Sequence, residues 1–146
     1  MMKTKSTKAT KEKEIKRTWH ELDAKGQVLG RLSTQAARLL IGKDKANWAP
    51  YLDMGDFVVV TNAKYVKVTG KKEEQKEYFR YSGYPGGLTR ETLGRLRQRR
   101  PEEIIRHSVK GMLPDTKLGR KMINKLYVYA GHEGEMVGKA QKQDGK

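Results

Sequence analysis

The chain has 146 residues, with 32 Lys and Arg against 17 Asp and Glu, a net charge of +15 and no Cys. That length suits one domain able to bury roughly two-thirds of its unfolded surface, and the missing Cys excludes disulfides and thiolate metal sites. A cation surplus of this size calls for a polyanionic partner such as a nucleic acid, and not for a small-molecule substrate.

No window approaches the ~18 apolar residues of a membrane span, and no long basic helix with Trp and Phe opposite appears, so no membrane partner is expected. Residues 1–17 are basic but have no apolar core of a secretory signal, and their Lys-rich, Glu-containing makeup is unlike a mitochondrial leader. A reducing cytosol is consistent with the absence of Cys.

The charge is unevenly spread. Residues 1–17 carry +5, residues 18–87 carry +3, residues 88–125 carry +7, and residues 126–146 are neutral. Such clustering reads as a binding footprint, whereas even spacing would read as solubility. The expected organisation is a basic flexible N-terminal tail over 1–17, one α/β domain over 18–131 that carries the binding footprint, and a polar C-terminal tail over 132–146.

In chain order, residues 18–23 alternate as a first strand, and residues 24–26 turn. Residues 28–41 predict a helix, with Leu29, Leu32, Ala36, Leu39 and Leu40 on one face and Gly42 as the stop. Trp19 and Trp48 are expected as anchors in the core or at its edge. Residues 57–61, FVVVT, form a β-branched run of the kind buried on both faces of a parallel or mixed sheet. Residues 66–69 predict a short third strand. Residues 77–81 predict a strand or an extended arm, and residues 82–87, SGYPGG, irregular chain.

Thr89 is a candidate N-cap for a helix over 90–99, with Leu93 and Leu96 inward. Pro101 can open a second helix running to Met112, with Ile105, Val109 and Met112 at core spacing, and Pro114 blocks its continuation. A short helix over 118–124 and a last strand over 126–130 complete the order. The whole predicts a three-layer α/β domain, its mostly parallel or mixed sheet of about four strands flanked by helices.

Two cation clusters stand out. Arg95, Arg97, Arg99 and Arg100 hold four guanidinium groups within six residues, without an acid among them. Guanidinium forks match phosphate oxygens, and four together on a bare helix face would repel one another. Lys117, Arg120, Lys121 and Lys125 fall largely on one helical side. Residues 81–87 look like a phosphate loop but match neither the P-loop pattern nor a dinucleotide fingerprint. Their glycines permit close backbone approach, and Tyr81 and Tyr84 can stack on bases.

Asp53 and Asp56 read as turn caps before a buried strand. His20, His107 and His132 share no ligand spacing, so neither a metal nor a cofactor is expected. No set of titratable residues suggests catalysis.

Several separate blocks, in order, then resemble the family of bacterial large-subunit ribosomal protein L13. They are Leu22-Asp23-Ala24 with Leu29-Gly30-Arg31-Leu32, then Gly55-Asp56 with Val58-Val59-Val60 and Asn62-Ala63, and Thr69-Gly70-Lys71. Next come Ser82-Gly83-Tyr84-Pro85-Gly86-Gly87, Arg100-Pro101-Glu102, the stretch from Val109 to Pro114, Leu118-Gly119-Arg120, and Val128-Tyr129-Ala130-Gly131.

The resemblance implies a structural, non-enzymatic, cytoplasmic protein of the ribosome. It implies binding to large-subunit ribosomal RNA, contact with neighbouring large-subunit proteins, and a role early in subunit assembly. Carried onto this chain, it makes Arg97, Arg99, Arg100, Lys110, Lys117, Arg120, Lys121 and Lys125 the leading RNA contacts, with Gly83, Tyr84, Gly86 and Gly87 of the loop. Within 109–131, Val109, Met112, Leu126 and Val128 are expected to anchor the segment while its cations face RNA. The chain departs from the family pattern at Tyr81, at Asp115 and after Gly131. The competing reading is a free DNA-binding regulator, with residues 90–99 and 101–112 as a helix-turn-helix-like pair. Ile104, Ile105, His107 and Ser108 are a poor base-reading set for it.

Overall fold

A computed structural model describes residues 11–144. Residues 1–10, most of the expected basic tail, lie outside the described residues, as do 145 and 146.

The main sheet has three parallel strands, β1 (Trp19–Asp23), β2 (Phe57–Thr61) and β5 (Leu126–Val128), with β2 in the centre. Successive side chains on a strand point to opposite faces. Val58 and Val60 therefore face one layer and Val59 the other, and all three are fully buried, as the β-branched run predicts.

On the first face lies the main core. Helix α1 (Leu29–Ile41) supplies Leu32, Ala36 and Leu40, and helix α4 (Pro101–Lys110) supplies Ile104, Ile105 and Val109. On the second face, Val59, Trp19, Tyr127 and Tyr129 are covered by Val137 and Ala140 of helix α6 (Val137–Asp144). Trp19 stacks on Phe57 at 4.4 Å and on Tyr127 at 5.7 Å. The domain thus has three layers, with helices on both faces of the parallel sheet.

Several expectations are corrected. Residues 66–69 do not form a strand. A 3-10 turn at Ala63–Tyr65 precedes them, and only Lys67 bridges to Val28, so the parallel sheet has three strands and not about four. Thr89 does not cap a helix. Residues 88–92 form strand β4 (Leu88–Thr92), antiparallel to β3 (Glu77–Tyr81), after a single turn of helix, α2 (Lys72–Gln75).

Helix α3 (Leu93–Arg99) begins only after Thr92, where Leu93 and Leu96 become buried. Met112 is 41% exposed, and Leu113 takes the core position, because α4 ends at Lys110 and its helical spacing no longer holds. Trp48 is also partly exposed, at 39%, and lies outside the buried core. The stretch after Gly131, expected as a polar tail, carries α6 and closes the second face of the sheet.

Candidate nucleic-acid interface

The +7 region folds as strand, helix, helix and helix, and its breaks are local in origin. Arg100 precedes Pro101, and a residue before proline is pushed away from helical backbone. Its φ of −147° and ψ of 78° end α3 at Arg99, and Pro101 then opens α4 at the position where a missing N–H costs nothing. The bend leaves Arg99 and Arg100 exposed at the α3–α4 corner.

Downstream, Thr116 caps helix α5 (Lys117–Ile123), its hydroxyl accepting from the Gly119 N–H at 3.3 Å. The first turn of α5 lies so close to Pro114 that a Cβ on Gly119 would sit 1.8 Å from the Pro114 carbonyl oxygen. With Leu118 and Met122 packed on the core, Lys117, Arg120 and Lys121 are left facing solvent. Lys110, Asp115, Arg120 and His107 line a hollow between the end of α4 and α5. Arg106 lines an adjoining one with Lys110 and Arg120.

The expected contacts divide sharply. Arg95, Arg100, Lys110, Lys117, Arg120 and Lys121 are exposed, and none of their side chains has a hydrogen-bonding or ion-pair partner among the described residues. Arg99 is 63% exposed at its side chain but holds Glu91 at 2.6 Å.

Arg97 turns inward. One terminal nitrogen donates to the carbonyls of Lys64 at 3.0 Å and Val66 at 2.8 Å, the other donates to Glu73 at 3.0 Å, and its Nε lies 2.7 Å from the same carboxylate. It ties α3 to the chain after the 3-10 turn and to α2.

Lys125 is the clearest departure from expectation. It is only 6% exposed, so it faces the core and not a ligand. Its ammonium donates to Asp53 and to the carbonyl of Gly55 at 2.9 Å. Burial lowers its pKa, and the hydrogen bond and charge of Asp53 oppose that shift. The lysine lands there because it sits at the junction between α5 and β5, where its own carbonyl accepts from Val58 N–H of the central strand at 3.1 Å. Gly55 admits the arrangement, since a Cβ there would meet the Leu40 carbonyl oxygen at 1.6 Å and Lys125 Nζ at 2.9 Å.

Asp53 and Asp56 are accordingly ion-pair hubs more than turn caps. Asp56 accepts from Lys45 Nζ at 2.6 Å and the Thr18 N–H at 2.9 Å, and it lies 3.2 Å from His20 Nε2. Burial alone would raise its carboxyl pKa. The bonds from Lys45, Thr18 and His20 outweigh that and hold it below the usual carboxylate value. Lys45 also donates to the Lys16 carbonyl at 2.7 Å, and Arg17 donates to the Asp53 carbonyl at 3.3 Å. The two aspartates thereby fix where the basic N-terminal segment leaves the domain.

The loop at 82–87 is the tip of the β3–β4 hairpin. It is closed by the Gly87 N–H donating to the Tyr84 carbonyl at 2.9 Å and the Ser82 N–H donating to that of Gly87 at 3.2 Å. Gly83 and Gly86 have φ of 90° and 74°, a conformation that side chains disfavour. Tyr84 is 75% exposed at the tip. A hollow of about 760 Å³ separates the hairpin from α3 and α4, and Arg80, Arg90, Arg95, Arg99 and Arg100 line it. Arg80 and Arg90 are not among the expected contacts, because residues 88–92 are expected to cap and start a helix and instead pair with 77–81 as a hairpin beside α3. The arrangement offers dispersed positive charge and open backbone. Among the described residues no His, Cys, Asp and Glu group has the makings of a metal site.

A sequence model of the family described as ribosomal protein L13 matches residues 17–135. Among curated relatives, the large ribosomal subunit protein uL13 of Thermosipho africanus is 52% identical over 127 residues, covering 87% of this chain and 85% of that protein. The uL13 of Dictyoglomus thermophilum is 55% identical over 123 residues, covering 84% and 87%, and that of Methylococcus capsulatus is 53% identical over 130 residues, covering 89% of each.

Proposed function

The chain belongs to the ribosomal protein L13 family, a family of structural ribosomal proteins and not of enzymes, and from that premise we propose how it works. It is a constituent of the large ribosomal subunit that grips large-subunit ribosomal RNA through phosphate contacts and shape, with little base readout along its helical side. One observation carries this reading: exposed cations without internal partners are gathered on consecutive elements from α3 to α5. Repulsion among them is relieved when phosphates neutralise them, so the cluster is stabilised by the partner it binds.

Arg99, Arg100, Lys110, Lys117, Arg120 and Lys121 are the proposed phosphate contacts, with the backbone of Gly83, Gly86 and Gly87 and the ring of Tyr84 at the hairpin tip. Arg97 and Lys125 leave the contact set, because their charges are satisfied inside the fold. Neighbouring large-subunit proteins are the second class of partner. An early role in assembly fits a domain whose own core is complete and whose charge awaits RNA.

The free DNA regulator loses its support. Residues 88–92 pair as a strand, which shortens the first of the two expected helices to Leu93–Arg99, and α4 gives Ile104, Ile105 and Val109 to the core, which takes them away from base readout. The test is sedimentation of the tagged chain with large subunits through a high-salt wash, followed by binding to large-subunit ribosomal RNA and to duplex DNA at moderate salt. Retention on the subunit and preference for the RNA are expected. Recovery in the unbound fraction, or equal affinity for DNA, overturns the proposal.

A further inference from the structure

The β3–β4 hairpin half-buries part of one face, at Tyr78 and Glu91, and leaves the other face bare. Residues directly opposite in an antiparallel pair share a face. Tyr78 with Glu91 and Arg80 with Thr89 therefore lie on one side, and Phe79 with Arg90 and Tyr81 with Leu88 on the other. The first side is covered at one end: the Tyr78 ring lies 5.3 Å from the His107 ring and joins the main core, while Arg80 and Thr89 stay exposed beside the hollow. On the second side Phe79 is 61% exposed, Tyr81 65% and Leu88 48%, and Tyr84 extends the surface at the tip. Among the described residues, the other exposed large apolar side chains are Trp48 and Tyr51 in the loop before β2, and Tyr65 and Met112 singly elsewhere.

Cross-strand pairing of Phe79 with Arg90 steadies the hairpin, but clustered exposed apolar groups of this kind also mark a binding surface. Its chemistry narrows the occupant. The Arg90 guanidinium sits 5.6 Å from the Phe79 ring centre, and the acid of this face, Glu77, stands at the far end opposite Thr92. Flat rings beside a cation match a nucleobase and its phosphate, since every base has a face that stacks on an aromatic ring. A duplex hides those faces, so the match is to unpaired nucleotides.

We infer that the outer face of this hairpin, Phe79, Tyr81, Leu88 and Arg90 with Tyr84 at its tip, is a stacking platform for unpaired RNA bases, adjoining the phosphate-gripping surface of α3–α5 at the hollow that Arg90 shares with Arg95, Arg99 and Arg100. The inference rests on the RNA-binding reading above and adds a second mode to it. The helical side takes backbone charge, and the hairpin takes base faces.

The test uses the full chain and three probes: a single-stranded, adenine-rich oligoribonucleotide of about 12 nucleotides carrying one fluorescent adenine analogue, a duplex of the same length, and large-subunit ribosomal RNA. The native chain should quench the analogue in the single strand. The double variant Phe79→Ala/Tyr81→Ala should bind the single strand about 5- to 150-fold more weakly for each stacked base lost, with duplex affinity changed by less than about twofold. Phe79→Tyr/Tyr81→Phe keeps both rings and should restore binding and quenching.

Equal losses on single strand and duplex, or no loss on either, overturn the platform. The second of those results is the one expected if the face instead receives a neighbouring protein. A native chain that binds ribosomal RNA but leaves the analogue unquenched overturns the platform alone. A chain that binds none of the three overturns the RNA-binding reading with it.

Discussion

At the scale of single residues, the same side-chain type does opposite work depending on where the fold leaves it. Lys121 and Lys125 are one helical turn apart, yet Lys121 is exposed and Lys125 is 6% exposed against Asp53 and Gly55. Breaking a buried ion pair by removing one partner leaves the other charge uncompensated, which costs more than the pair contributes. Lys125→Ala should therefore lower stability by about 3–5 kcal/mol in urea unfolding. Ribosomal RNA binding of the folded fraction should be unchanged, and a selective loss of affinity would show that the ammonium reaches RNA after all.

Asp56 makes the second residue-scale prediction. Its folded carboxyl titrates below the ordinary 3.8, so the stability it contributes is present above that value and is lost as pH falls through the lower, folded one. Asp56→Asn should flatten that part of the acid limb in a urea-midpoint series, and an unchanged limb would assign it to other carboxylates.

At the scale of elements, α3 and α5 look alike in sequence and differ in task. Both are seven residues long and rich in cations. In α3, beside the buried Leu93 and Leu96, the guanidinium of Arg97 ties the helix down by bonding two carbonyls and Glu73, whereas in α5 the apolar residues and Gly119 hold the backbone and free the charges. Arg97→Ala should lower the melting temperature, because hydrogen bonds to charged groups contribute about 1.5–3 kcal/mol each. Arg120→Ala/Lys121→Ala should leave the melting temperature nearly unchanged and weaken ribosomal RNA binding at about 0.1 M salt, where the Debye length is still about 10 Å. If the two variants exchange these outcomes, the assignment of inner and outer cations is wrong.

At the scale of the whole molecule, the binding footprint is smaller than the charge suggests. Without Arg97 and Lys125, six of the eight carried-over cations stay open to phosphate. Log affinity for ribosomal RNA should then fall with log salt at a slope of about −4 to −5, where eight contacts would give about −6 to −7. A salt titration of binding separates the two. A slope near zero would remove phosphate neutralisation as the mechanism.

Much of this architecture was legible in the chain alone. Residues 57–61 read as a strand covered on both faces, because a continuous β-branched run favours strand backbone and has no polar side to give to water. The helix at Leu29–Ile41 and the break at Arg100-Pro101 follow from helical spacing and proline sterics, both set within a few neighbouring residues. The clustering of cations in 88–125, and with it the polyanionic partner, is likewise a property of the chain. The tertiary structure decided which cations face outward, because that depends on partners distant in sequence. Asp53 meets Lys125 across 72 positions and Lys64 meets Arg97 across 33. It also decided that residues 88–92 pair with 77–81 in place of starting a helix, and that α6 returns to close the sheet. Local spacing carries no record of such pairings. The desolvation of a charge is settled only when separate parts of the chain arrive at one place.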